Sequence, residues 1–177
     1  MNRLTKITTR SGDQGQTGLA DGSRVDKNSP RIHTLGDLDE LNAALGLLAM
    51  ELDHDRIGLV TGIQQRLFDL GGELALPGSS VINAGHVQDL EHQTEIINAK
   101  LPPLKEFILP GGTHAAARAH LARAVCRRAE RSLWGLSRTE TVNSESLKYL
   151  NRLSDLLFVM ARQLARQERT DETTWKR

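Results

Sequence analysis

Residues 118–131 read Arg-Ala-His-Leu-Ala-Arg-Ala-Val-Cys-Arg-Arg-Ala-Glu-Arg, five arginines in a stretch of helical periodicity. At about 100° per residue, His120, Arg123, Arg127 and Arg131 fall within roughly 80° of one another on one helix face. Leu121, Ala122, Val125, Cys126, Ala129 and Leu133 fall on the opposite face. Like charges three and four residues apart cost an isolated helix about 0.2–0.5 kcal/mol per pair, so such a row calls for something anionic opposite it. Carboxylates, nucleic acid and a polyphosphate all meet that description. A solvated basic face is the competing reading.

A second stretch, Thr8-Thr-Arg-Ser-Gly-Asp-Gln-Gly-Gln-Thr-Gly18, is rich in glycine and hydroxyl donors. Glycines let successive backbone N–H groups turn inward, and Thr, Ser and Arg side chains add donors, so the loop suits phosphate oxygens. It lacks the Gly-Lys-Ser/Thr ending of the strand–loop–helix phosphate motif, and a plain surface turn is the alternative. Lys27 either reaches the same anion or is solvated. Asp39 and Glu40 either complement a helix dipole or fix the guanidinium plane of an arginine in the 123–131 row. Asn151 and Asp155, four residues apart on an otherwise apolar helix, need polar partners from the bundle or from a ligand. The six histidines show no metal-ligand spacing, so no protein metal site is expected, and no Ser–His–Asp set is recognisable.

The elements that must position these groups are helical. Residues 1–35 lack helical periodicity and read as a glycine-rich arm of loop or short strands. From Gly36, the Asp37/Glu40 spacing of a capping box precedes Leu38, Leu41, Leu45, Leu48 and Leu52 at helical intervals. Ile57 to Leu76 repeats the pattern and ends at Pro77-Gly78, and a weaker helix runs from about His86 to Leu101. Phe107-Ile-Leu-Pro-Gly-Gly112 then connects to the arginine-rich helix, which Thr113 can cap. A last helix, from Asn143 or Ser144 to about Gln167, has two apolar stripes: Leu150, Leu153, Leu157 and Leu164, and Tyr149, Leu156 and Met160. Asn151, Asp155 and Arg162 form its polar edge, and a helix so apolar is central, at a subunit interface, or both. The expected fold is all-α: one domain over 1–177, with the arm at 1–35, a five-helix bundle at 36–168 and a tail at 169–177.

Composition narrows the function classes. A net charge of +1 over 177 residues argues against a general nucleic-acid binder, and only 3% of the residues are aromatic. The lone cysteine, Cys126, falls on the apolar helix face and reads as a packed free thiol in a reducing compartment. The N-terminal Met-Asn-Arg-Leu-Thr-Lys has no apolar signal core, and no apolar run nears the roughly 18 residues of a membrane helix. A cytoplasmic protein without membrane contact is expected.

In order along the chain, the blocks at 9–18, 36–42 (Gly-Asp-Leu-Asp-Glu-Leu-Asn), 63–75, 107–112, 126–131 and 149–155 (Tyr-Leu-Asn-Arg-Leu-Ser-Asp) resemble the PduO-type ATP:cob(I)alamin adenosyltransferase family. Arg10 stands where that family usually has Lys, which keeps the charge and alters the hydrogen-bond geometry. The resemblance implies a homotrimer of five-helix bundles that binds ATP, magnesium and cob(I)alamin between subunits. By position, Thr9, Arg10, Ser11, Gly12, Thr17, Gly18 and Lys27 would wrap the triphosphate. Arg127, Arg128, Ala129, Glu130, Arg131 and Asn151 would hold the rest of ATP, and Arg123 belongs to the same row. Asp39 would pair with Arg127, and Phe107 would lie against the lower corrin face and leave cobalt four-coordinate. Arg127, Asp39 and Phe107 are thus the catalytic candidates. The implied partners are a reductase and a cobalamin-dependent mutase. A non-catalytic carrier or sensor of ATP and adenosylcobalamin is the alternative function.

Overall fold

The computed structural model describes residues 8–168 and 172–176. A short antiparallel hairpin, β1 (Gln16–Gly18) and β2 (Arg24–Asp26), precedes five helices: α1 (Pro30–Ala49), α2 (His54–Ala75), α3 (Ala84–Asn98), α4 (His114–Leu136) and α5 (Ser144–Glu168). Residues 1–7, 169–171 and 177 of the expected arm and tail lie outside the described residues. Among the described residues, no helix is long and apolar enough to cross a membrane.

The expected all-α bundle is present, with corrections at its ends. Helix α1 begins at Pro30, not at Gly36: Ser29 caps it by accepting from the Ile32 N–H, and proline suits the first turn because its missing N–H would be unpaired there. Asp37 and Glu40 therefore sit in the body of α1 and form no capping box, and the arm ends at Ser29. Asp53 caps α2, Asn83 and His86 form the capping box of α3, and Thr113 caps α4 as expected, accepting from the Ala116 N–H at 3.1 Å.

Helix α4 packs against α1 and α5, α3 lies on α5, and α2 lies on α1. Ala116, Ala119, Ala122 and Ala129 are fully buried, so small side chains bring α4 close to its neighbours. Both stripes of α5 are buried within the one chain, from Tyr149 and Leu150 to Met160 and Leu164, so this helix is central in the bundle. Two polar knots fix the bundle ends. The buried Glu73 carboxylate accepts from the Ile82 N–H at 2.7 Å, the Asn143 amide at 2.9 Å, the Val81 N–H and the Ser146 hydroxyl. Buried Arg31 donates to the Leu74 carbonyl at 2.6 Å and pairs with Glu140.

Cys126 is fully buried, its Sγ 3.3 Å from the Leu150 carbonyl, and burial pushes its thiol far above the ordinary range. The native chain should therefore stay unmodified by a thiol-disulfide reagent at pH 8, and one thiol per chain should react once denaturant unfolds it. Rapid labelling of the folded protein would contradict the packing described here.

Candidate active site

The arginine row on α4 splits into three environments. Arg127 and Arg131 are exposed, and Arg131 donates to the Arg127 carbonyl at 3.0 Å. They border a cleft of about 520 Å³ that Glu130, Trp134, Arg138 and Asn151 also line. Asn151 donates to Glu130 at 3.0 Å and accepts from Arg152 at 2.6 Å, so the amide is oriented at the cleft wall. Arg128 turns the other way, donating to Asp37 at 2.9 Å and pairing with Glu40. The carboxylate of Glu40 in turn holds the Arg128 guanidinium more firmly protonated. Arg123 is half-buried, its guanidinium carbon 5.9 Å from the centre of the Phe158 ring. Its Nε has no hydrogen-bond partner among the described residues, and burial together with Arg127 lowers its pKa.

Two burial expectations change here. His120 is buried and Leu121 is 54% exposed, because the face covered by α5 is rotated from the one that the leucine position indicated. Ala129 is fully buried, backbone included, as its place on the apolar face predicts. Arg162, assigned to a polar edge, is buried. Asp39 does not meet Arg127 within the chain: it is exposed on a groove between α1 and α2 beside Leu35, Asn42 and Phe68. Glu40 is the member of the acidic pair that reaches the row, and it reaches Arg128.

In the arm, Thr9, Arg10 and Ser11 are exposed, with the Thr9 and Ser11 hydroxyls 2.9 Å apart. Arg10 has φ 59°, a left-handed conformation that reverses the backbone there. A Cβ on Gly12 would lie 2.8 Å from the Lys27 ammonium, so the lysine sits over this turn. Thr17 and Gly18 lie on β1, paired with Val25 and Arg24. The hairpin is tied to α2 by the Ala20 N–H, which donates to the Ala75 carbonyl at 2.8 Å. Among the described residues, no hydrogen bond or ion pair joins residues 9–27 to the α4 arginines. One chain therefore carries two donor-rich surfaces at separate places.

Phe107, on the α3–α4 connector, is 78% exposed. Its ring meets Trp175 edge-on, with centroids 6.5 Å apart and planes at 62°. An aromatic side chain presented this openly offers an apolar plane to a ligand.

The sequence pattern of the cobalamin adenosyltransferase family matches residues 7–164. The chain belongs to the cobalamin adenosyltransferase family. It is 53% identical to the cobalamin adenosyltransferase of Cupriavidus metallidurans, over 99% of this chain and 97% of that one. It is 42% identical to the corrinoid adenosyltransferase of Bacillus subtilis, over 89% and 85% of the two chains. Among solved structures, a variant PduO-type ATP:corrinoid adenosyltransferase from Lactobacillus reuteri complexed with cobalamin and ATP superimposes with a TM-score of 0.91 at 34% identity, covering 97% of this chain and all of that one.

Beside the residues shared with the adenosyltransferase blocks, the structure places others that sequence reading passed over. Phe158 lies under Arg123 and 6.3 Å from the His120 ring, and Trp175 and Glu172 come back from the tail to the Phe107 connector. The usable signal was Arg162, a charge amid the apolar residues of α5, which needs a partner such as Glu172.

His120 Nδ1 is buried without a hydrogen-bond partner among the described residues. Burial, and then Arg123, hold its pKa below the usual 6.5, with Glu172 opposing. The unfolded chain then binds this proton more readily, so stability present above pH 6.5 is lost as pH falls below it. In urea titrations from pH 7.5 to 5.5, His120→Gln should lose less stability than the parent over the same interval. Equal losses would show that the folded chain takes up this proton as readily as the unfolded one.

Proposed function

We propose that this chain transfers the 5′-deoxyadenosyl group of ATP to cob(I)alamin, giving adenosylcobalamin and triphosphate. The observation that carries this reading is the cleft on α4, where Arg127 and Arg131 face solvent beside the Asn151–Glu130 pair in a fold shared with ATP- and cobalamin-bound relatives. In the reaction the cobalt electron pair attacks the ribose 5′-carbon, a Co–C bond forms, and the C5′–O bond breaks with its electrons leaving on triphosphate. The nucleophile carries no proton, so no general base is required. The protein's part is orientation and fixed positive charge where the leaving group gains negative charge.

Within this reading, Arg123, Arg127, Arg128, Glu130, Arg131 and Asn151 hold ATP, Arg128 acts mainly by fixing α4 to α1, and buried Ala129 lets α4 pack closely beneath the row. Thr9, Arg10, Ser11, Gly12, Thr17, Gly18 and Lys27 wrap the triphosphate. These two surfaces do not touch within one chain, which supports a homotrimer in which the arm of one subunit closes over α4 of the next. Asp39, exposed on the α1–α2 groove near the 70% exposed Phe68, then reaches an arginine of a neighbour, Arg127 in this proposal. Phe107 supplies the apolar plane beneath the corrin and keeps cobalt without a lower ligand. Magnesium would be carried on the triphosphate oxygens and would help to neutralise the leaving group there. The chain works as one domain in the cytoplasm, where a reductase supplies Co(I) and a mutase takes the product; the buried free thiol suits that compartment.

Anaerobic mixing with chemically reduced cob(I)alamin and Mg-ATP should release one triphosphate per adenosylcobalamin formed. Binding of both substrates without release would make the chain a carrier. Arg127→Ala should weaken ATP binding by about 1.5–3 kcal/mol, the value of a charge-assisted hydrogen bond, measured by calorimetry. Phe107→Ala should instead slow adenosylation on the order of a hundredfold, about 2.7 kcal/mol, with ATP affinity unchanged. Sedimentation should give three times the 19.6 kDa chain mass.

A further inference from the structure

The described end of the chain returns to the connector that carries Phe107. Residues 172–176 run antiparallel to 107–109, with a bridge between Ile108 and Thr174. The Leu109 N–H donates to the Thr173 carbonyl at 2.9 Å, and the Trp175 N–H donates to the Phe107 carbonyl at 2.8 Å. Two such bonds at the end of a chain do not hold a strand by themselves, and termini fray unless tied down.

The tie is a buried ion pair. The Glu172 side chain is 8% exposed and the Arg162 side chain 3%. Arg162 Nε donates to Glu172 Oε1 at 2.9 Å and its Nη2 to Oε2 at 3.2 Å, a bidentate geometry that fixes orientation as well as distance. Arg166 adds a bond to the same carboxylate at 3.4 Å. Arg162 Nη2 also donates to the Pro102 carbonyl at 2.8 Å, so one guanidinium on α5 grips both the start of the Phe107 connector and the returning strand. At the other end of the connector, Gly112 has φ 96°, and a Cβ there would meet the Ala165 Cβ at 3.3 Å. The connector is thus seated on α5 at both ends, and between them Phe107 projects with Trp175 against its ring.

A buried ion pair adds less stability than well-packed apolar residues of the same volume, and its distinctive contribution is a single geometry. We propose that Arg162 and Glu172 are positioning residues for the reaction: their buried pair latches strand 172–176 against the connector and thereby sets the ring of Phe107. This inference rests on the role proposed above for Phe107.

The test compares the parent, Glu172→Gln, Phe107→Ala and the Phe107→Ala/Glu172→Gln double variant as full-length proteins. In Glu172→Gln, the Leu109 and Trp175 amides should exchange with deuterium about tenfold faster while the amides of α1 and α2 keep their protection. Single-turnover adenosylation should slow by about tenfold or more, as expected when a reacting geometry is loosened, and ATP affinity should not change. Because the latch acts through Phe107, the double variant should be no slower than Phe107→Ala alone. Should Glu172→Gln lose the helical signal, Arg162→Met/Glu172→Met removes both buried charges and takes its place. Faster exchange with parental turnover, or multiplied losses in the double variant, would overturn the latch and leave the Phe107 assignment standing. Parental turnover in Phe107→Ala would overturn the assignment and the latch together.

Discussion

Helix α4 must be core and charged edge along the same 23 residues, and the remaining elements are arranged around that requirement. Its buried positions at Ala116, Ala119, Ala122, Ala129 and Cys126 are small, so α1 and α5 approach closely and the burial energy comes mainly from the leucines they bring. With the backbone held that rigidly, the arginines on the remaining arc have fixed points of origin. Mutual repulsion among them is relieved unequally: Arg128 by the carboxylates of α1, Arg123 by the Phe158 ring, and Arg127 and Arg131 by solvent. Of the row, Arg127 and Arg131 are the guanidiniums left facing solvent.

The same economy of partners governs the other polar groups. Glu73, Arg31 and Arg162 are each buried, and each collects hydrogen bonds from segments far apart in sequence. A charge inside a bundle is tolerated only when its donors or acceptors are nearly all matched, so each such group fixes the loop ends that it touches. Glu73 sets the approach to α3 and the start of α5, Arg31 joins the first turn of α1 to the α4–α5 loop, and Arg162 joins the Phe107 connector to the strand beyond α5. The loops around the bundle are ordered by these internal charges, and the connector that presents Phe107 is one of them.

Adenosyl transfer from ATP to a cobalt nucleophile needs no acid–base pair, which accords with the arginines, lysine, hydroxyls and open aromatic ring proposed for the site. What such chemistry does need is exclusion of competing geometries. The arm surface and the α4 cleft stand apart in one chain, so an assembly that brings them together would also decide when the triphosphate is enclosed.

The amino-acid pattern alone determined the number and type of helices, the Thr113 cap, the burial of Cys126 and both stripes of α5, because 3.6-residue periodicity is a local property of the chain. It also marked the arginine row and the glycine-rich arm, through charge and glycine spacing. It misplaced the start of α1, because Pro30 can open a helix as well as break one and Gly36, exposed in the second turn, resembles a terminus in sequence. Only the tertiary structure decided which arginine met which carboxylate: Asp37, Asp39 and Glu40 crowd one stretch of α1, and a rotation of a few tens of degrees between α1 and α4 selects among them. The return of Glu172 and Trp175 to the Phe107 connector likewise joins residues more than sixty positions apart. No local period encodes such a contact; it exists because Arg162, buried by the packing of α5, must have a carboxylate.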